Sequence, residues 1–244
     1  GIFDDPYCII RSSKKRNYQE RFSSVVCCTG TWLFMGRDAF VFLREMIKVQ
    51  RFINELMSSN CYIIYDDILK RSIVVDPASE KCLNEIEFID NNRLTVDYIL
   101  LTHEHTDHTW GCNILIEKYE PKVICSEACK IALPKEGQSY FSFYYDNPEY
   151  HYVVKKVDYT IEELGNKLMW LNYFILFVAT PGHSAGSVCF SIDDKLFTGD
   201  TIMQYKPHIN KKNGSIVLFE ESVANIKRLY HRETQVYPGH GELF

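Results

Sequence analysis

Between Leu101 and Gly111 the chain reads LTHEHTDHTWG, which places His103, His105, Asp107 and His108 within six residues. Packing alone has no use for so many polar, ligand-type side chains in one place, because burying them unpaired is costly. The stretch follows an apolar run, VDYILLT, that reads as a buried strand, so it lies where the chain turns at a sheet edge. Alternate residues His103 and His105 can point the same way and offer two neutral imidazoles to one ion. Asp107 and His108 then turn toward a second direction. Imidazole and carboxylate together suit Zn2+, Mn2+ or Fe2+ rather than Ca2+. A catalytic zinc takes three protein ligands and keeps one position for water. Four ligands are therefore too few for two such metals and awkward for one.

Three later stretches can complete the set. ATPGHSAGS places His183 in a glycine-rich turn between two strands, LFTGDTI places Asp200 at a strand end, and VYPGHGE places His240 at the end of the last strand. Each is a solitary ligand-type residue beside glycines, where backbone can approach a site closely. Five of the eight histidines in the chain then belong to one pattern. Of the other three, His151 and His231 read as surface residues. His208, in the loop after Asp200, reads as exposed, with substrate contact the alternative.

The rest of the chain supplies a frame for these ligands. KVQRFI, CYIIYD and SIVVDP read as strands, SEKCLNEIEFIDNN as a helix with Ser79 at its N-cap, TWGCNILIEKY as helix, KVICS as strand and EACKIAL as a short helix. LMWLNYFILFVAT, GSVCFSI and KLFTGD read as strands. LFEESVANIKRLY aligns Leu218, Phe219, Ser222, Val223, Ile226, Leu229 and Tyr230 on one helical stripe, and TQVYPGH closes with a strand. The pattern predicts an α/β fold of two sheets with helices outside them, in halves of roughly 46–135 and 166–244. Between the halves, 134–165 forms an aromatic-rich insertion with eight Phe/Tyr residues from Tyr140 to Tyr159 and no clean period. Its rings either line a pocket mouth, Tyr144 and Tyr145 among them, or pack over a sheet edge.

Regular alternation begins only at Met46, so residues 1–45 are expected to be an N-terminal extension or a non-native leader and 46–244 the folded domain. The net charge of −5 is uneven: residues 1–45 carry +2, leaving −7 for the remainder. An acidic body lacks the clustered positive charge of a nucleic-acid surface. No run reaches the length of a transmembrane helix. VVCCTGTWLFM follows a basic KKR in the order of a signal peptide, but Thr-Gly-Thr breaks it and no A-x-A-like exit follows. Nine scattered cysteines, an odd number, fit reduced and mostly buried thiols in the cytoplasm, including Cys125 and Cys129 as an i, i+4 pair on one helix.

Taken in order, VVDP (Val74–Pro77), THEHTDH (Thr102–His108), TPGH (Thr180–His183), TGD (Thr198–Asp200) and PGHG (Pro238–Gly241) resemble the metallo-β-lactamase fold superfamily, most nearly its glyoxalase II-like hydrolases. The resemblance spans about residues 46–244 and implies a four-layer αβ/βα sandwich with two divalent metals, zinc foremost and iron or manganese as alternatives, between the sheets. By that likeness His103, His105 and His183 bind the first metal. Asp107, His108 and His240 bind the second, Asp200 bridges both, and Asp76 steadies the histidine loop from behind. The implied chemistry is hydrolysis of a small thioester or ester by a hydroxide shared between the metals, with Asp107 moving the proton. A mononuclear iron dioxygenase acting on a persulfide is the alternative, and a non-catalytic metal-binding accessory protein a further one. The ligand set argues against a true β-lactamase. The implied partner is a small-molecule substrate, with no nucleic acid and no membrane, and the oligomeric state is left open.

Overall fold

The computed structural model describes residues 31–35, 39–43, 47–55, 57–144, 152–209, 213–231 and 234–244, with side chains from residue 47 on except 136–144. Two compact units are present, Gly1–Glu45 and Met46–Phe244. In the first, β1 (Thr31–Met35) pairs antiparallel with β2 (Ala39–Leu43).

The second unit carries two sheets. One has the order β3 (Lys48–Ile53), β4 (Asn60–Asp66), β5 (Arg71–Val75), β6 (Thr95–Leu100), β7 (Lys122–Cys125) and β8 (Tyr159–Thr160). The other has the order β13 (Gln235–Pro238), β12 (Lys195–Gly199), β11 (Val188–Ile192), β10 (Tyr173–Ala179) and β9 (Lys167–Trp170). Burial on both faces explains why β4 reads as an almost unbroken apolar run. Tyr62 and Ile64 face the second sheet, whereas Cys61 and Ile63 face the helices α1 (Leu83–Asn92) and α3 (Cys112–Tyr119). β11 and β12 repeat the pattern. Phe190 and Phe197 point inward, while Cys189 and Leu196 meet Ile226 of α5 (Ile216–Leu229). Helix, sheet, sheet and helix therefore form the four layers expected.

Between the sheets Phe197 stacks on Phe190 at 4.8 Å and on Tyr237 at 4.7 Å, and Tyr62 meets Phe197 and Tyr237 edge-on at 5.4 Å. Pairs of this kind are worth about 0.5–1.5 kcal/mol beyond the area they bury. This stack fixes β12 and β13 three residues before Asp200 and His240.

Several local expectations are corrected. Cys82, in the left-handed region at φ 44°, caps α1 in place of Ser79, whose hydroxyl donates instead to Asn54 Oδ1 at 3.3 Å. EACKIAL opens a helix of 18 residues, α4 (Glu127–Tyr144), capped by Ser126 Oγ accepting from the Cys129 amide. Cys125 ends β7, so it does not share a helix with Cys129. The α5 stripe is narrower than expected: Phe219, Ser222 and Ile226 are buried, while Leu218 and Leu229 are exposed. The six cysteines among the described residues are buried and free. Tyr144 side-chain contacts, Tyr145 and His151 lie outside what is described, so the pocket-mouth expectation for Tyr144 and Tyr145 does too, while Tyr152 packs against the core and donates to the Thr109 carbonyl at 2.6 Å. Among the described residues, no helix is long and apolar enough to cross a membrane.

Candidate metal centre

Topology brings the separated motifs together. β5 and β6 run parallel as neighbours, so Asp76, just past β5, lies beside the His103 loop just past β6. β12 and β13 are likewise parallel neighbours, which brings Asp200 beside His240. His183 lies on the turn between the antiparallel pair β10 and β11. Carboxyl ends of parallel strands are where α/β sheets build their sites. A four-residue helix, α2 (Thr106–Thr109), carries Asp107 and His108 away from the line of His103 and His105.

All seven predicted ligands converge. His103 Nε2 lies 3.0 Å from His105 Nδ1, and His183 Nε2 lies 2.9 Å from the same atom. His108 Nε2 lies 3.3 Å from His240 Nε2, and Asp107 Oδ2 is 3.7 Å and 3.3 Å from those two nitrogens. Asp200 spans both groups: Oδ1 is 3.4 Å from His108 Nε2, and Oδ2 is 3.4 Å from His183 Nε2 and 3.6 Å from His240 Nε2. His103–His105–His183, His103–His108–Asp200 and Asp107–His108–His240 are each close enough to share one ion.

Hydrogen bonds behind the rings select which nitrogens face inward. Asp76 accepts from the Thr102 amide at 2.8 Å and from the Thr102 hydroxyl at 2.6 Å. With its proton so committed, Thr102 Oγ1 can only accept from His103 Nδ1, 3.0 Å away, which leaves the Nε2 lone pair of His103 pointing into the site. His108 Nδ1 donates to Asp76 at 2.9 Å, and His240 Nδ1 to the Met57 carbonyl at 3.1 Å. Asp76 is thus in contact with His108 and, through Thr102, with His103. Such outer contacts orient ligands and raise their basicity.

Burial lowers His103 well below the usual imidazole range, with the neighbouring imidazoles adding to it. Burial also lowers His105 and brings His183 to about 4, the latter against the pull of Asp200. These three rings are therefore neutral at neutral pH. His108 moves the other way: burial opposes, but Asp200, Asp107 and Asp76 lift it to about 10. Asp107 is held below the usual carboxylate range, burial being outweighed by His108 and His240.

The donor set fits bound metal. Asp200 Oδ1 is buried without a hydrogen-bond donor. The nitrogens of three neutral rings meet at about 3 Å, where one proton can serve only one contact and a cation can satisfy all of them.

Sequence reasoning missed one supporting element, the turn from Asn54 to Asn60. Ser59 is hydrogen-bonded to the Asp107 carbonyl, Asn60 Nδ2 donates to Pro238 and Gly241 carbonyls at 2.9 Å each, and the Asn60 amide donates to Gly239 at 2.7 Å. No single-residue signal marks this turn, because it acts largely on backbone atoms. His208 and His231 are exposed, as expected.

The chain is similar to known proteins over most of its length. The chain is 30% identical over 191 residues to a probable polyketide biosynthesis zinc-dependent hydrolase of Bacillus velezensis, covering 77% of this chain and 75% of the relative. It is 28% identical over 194 residues to a hydroxyacylglutathione hydrolase of Pelagibacter ubique, covering 76% and 67%. Among solved structures, the BLEG-1 B3 metallo-beta-lactamase superposes with a TM-score of 0.73 at 24% identity, covering 81% of this chain and 93% of the other, a likeness of fold. The model of the metallo-beta-lactamase superfamily matches residues 55–240, and the chain belongs to that superfamily.

Proposed function

We propose that this protein is a binuclear metal-dependent hydrolase of a small thioester or ester. One observation carries the reading: the Asp200 carboxylate turns one oxygen toward His108 and the other toward His183 and His240, the disposition of a bridge between two ions. His103, His105 and His183 would hold one ion and Asp107, His108 and His240 the other. Bound there, the pair would supply Lewis acidity that brings a shared water's pKa to roughly neutral and polarises the substrate carbonyl.

The chain's own residues supply the rest. Buried rings locked by Asp76, Thr102 and the Met57 carbonyl keep the ligands preorganised. Asp107, with its side chain 13% exposed, is at the solvent edge and is ionised. Its carboxylate can accept a proton from the attacking water and later return it to the leaving thiolate or alkoxide. Relatives named as zinc-dependent and hydroxyacylglutathione hydrolases support the reading.

The test is turnover on an ester and thioester panel, with Asp107→Ala beside the unaltered protein. The expected outcome is a loss of about 10²–10⁴ in kcat with the melting behaviour retained. Full activity in Asp107→Ala would remove this mechanism.

A further inference from the structure

Glu104 stands between two proposed ligands, His103 and His105, and the proposed reaction gives it no part. Its side chain is nonetheless buried, at 2% exposure. Glu104 Oε2 accepts from Ser184 Oγ at 2.9 Å, and Ser184 directly follows His183. Ser184 Oγ is 3.0 Å from Ser187 Oγ, which in turn accepts from the Ser184 amide at 3.1 Å. One carboxylate–hydroxyl contact therefore ties the loop carrying two imidazoles to the turn carrying the third. The turn is shaped around it. A Cβ on Gly186 would come within 2.4 Å of Glu104 Oε2 and within 2.6–2.7 Å of Cys129 backbone.

Charge gives this contact a second consequence. The group of Asp107, His108 and His240 contains a carboxylate of its own and has Asp76 behind His108. The group of His103, His105 and His183 is made of imidazoles alone, with Asp200 Oδ2 3.4 Å from His183 Nε2. A doubly charged ion among neutral ligands in a buried site is stabilised by a nearby negative charge, since little water screens it. Glu104 is the carboxylate adjacent in sequence to both rings of that loop.

We propose that Glu104 is a positioning residue of the three-imidazole group, holding His183 against His103 and His105 through Ser184 and adding a carboxylate to a group made of imidazoles alone. The proposal rests on the metal-centre reading above, but it concerns metal binding and not turnover.

The experiment is titration of chelator-stripped protein with Zn2+ against a chromophoric competitor. Glu104→Gln keeps an acceptor for Ser184 and removes the charge, while Ser184→Ala keeps the charge and removes the tie. Glu104→Gln is expected to weaken one Zn2+ equivalent about 10-fold or more and to leave the other within about 3-fold. Ser184→Ala should weaken the same equivalent by less. The Glu104→Gln effect should persist in a His240→Ala background and vanish in a His183→Ala background. Unchanged affinity for both equivalents in Glu104→Gln would overturn the proposal, as would a loss confined to the equivalent that His240→Ala removes. Should Glu104→Gln fold poorly, Ser184→Ala decides: wild-type Zn2+ affinity there, with a lowered melting temperature, makes the contact one of packing alone. If metal-loaded wild-type protein hydrolyses nothing, the hydrolase reading fails and this one stands.

Discussion

Asp76 shows how much one side chain can organise. It adopts φ 50°, a left-handed conformation that aspartate tolerates better than most residues, immediately before Pro77. From there its two oxygens serve the Thr102 amide, the Thr102 hydroxyl and His108 Nδ1 together. Asn at this position would keep the backbone conformation and replace one acceptor oxygen with a donor facing groups that already donate. Asp76→Asn is therefore expected to lower Zn2+ affinity by about 10–100-fold, measured by chelator competition. Wild-type affinity would mean that His103 and His108 are oriented by something else. Asp76 was legible only through the family resemblance that VVDP helps to carry. Met57 was not, since it contributes a carbonyl, and any residue has one.

At the scale of elements, the same contrast decides what could be read in advance. β4, β5, β11 and β12 announced themselves because apolar runs bounded by glycine, proline and aspartate have few other uses. The start of α1 did not, because Ser79 is a good cap by residue type while the chain takes its helical turn only after Cys82. Leu218 and Leu229 of the α5 stripe are exposed for a related reason: amphipathic spacing shows which residues can share a face, but not how much of that face the sheet covers. The join between α5 and the His183 turn depends on a glycine. Gly182 has φ 146°, and a Cβ there would come within 2.3 Å of the Phe219 backbone. Neither backbone can yield without moving α5 off the turn. Gly182→Ala is expected to destabilise the protein by about 1–3 kcal/mol and to weaken Zn2+ binding at the His183 group. A melting curve and Zn2+ titration matching the wild type would show that α5 does not brace the turn.

On the scale of the whole molecule, the centre is a consequence of strand direction. Parallel neighbours β5–β6 and β12–β13 end together, so residues 27 apart (Asp76 and His103) and 40 apart (Asp200 and His240) arrive side by side. The α/β class and the candidate ligands were legible because ligand-type residues are recognised by type and stand at strand ends that the period of two reveals, while the four-layer arrangement came from the family resemblance. The β3–β4 turn and the Glu104–Ser184 tie were not legible, because hydrogen bonds between distant loops leave no periodic trace. The aromatic insertion stayed closed to reading for a related reason: rings without a period fit a pocket wall and a packed edge equally well. On the proposed reading, seven side chains from four separated motifs hold two ions. The most direct measurement is metal content per chain by mass spectrometry, before and after His240→Ala, on protein reconstituted with Zn2+ and freed of excess. About two equivalents, falling to about one in His240→Ala, is the predicted result; one equivalent in both proteins would contradict it.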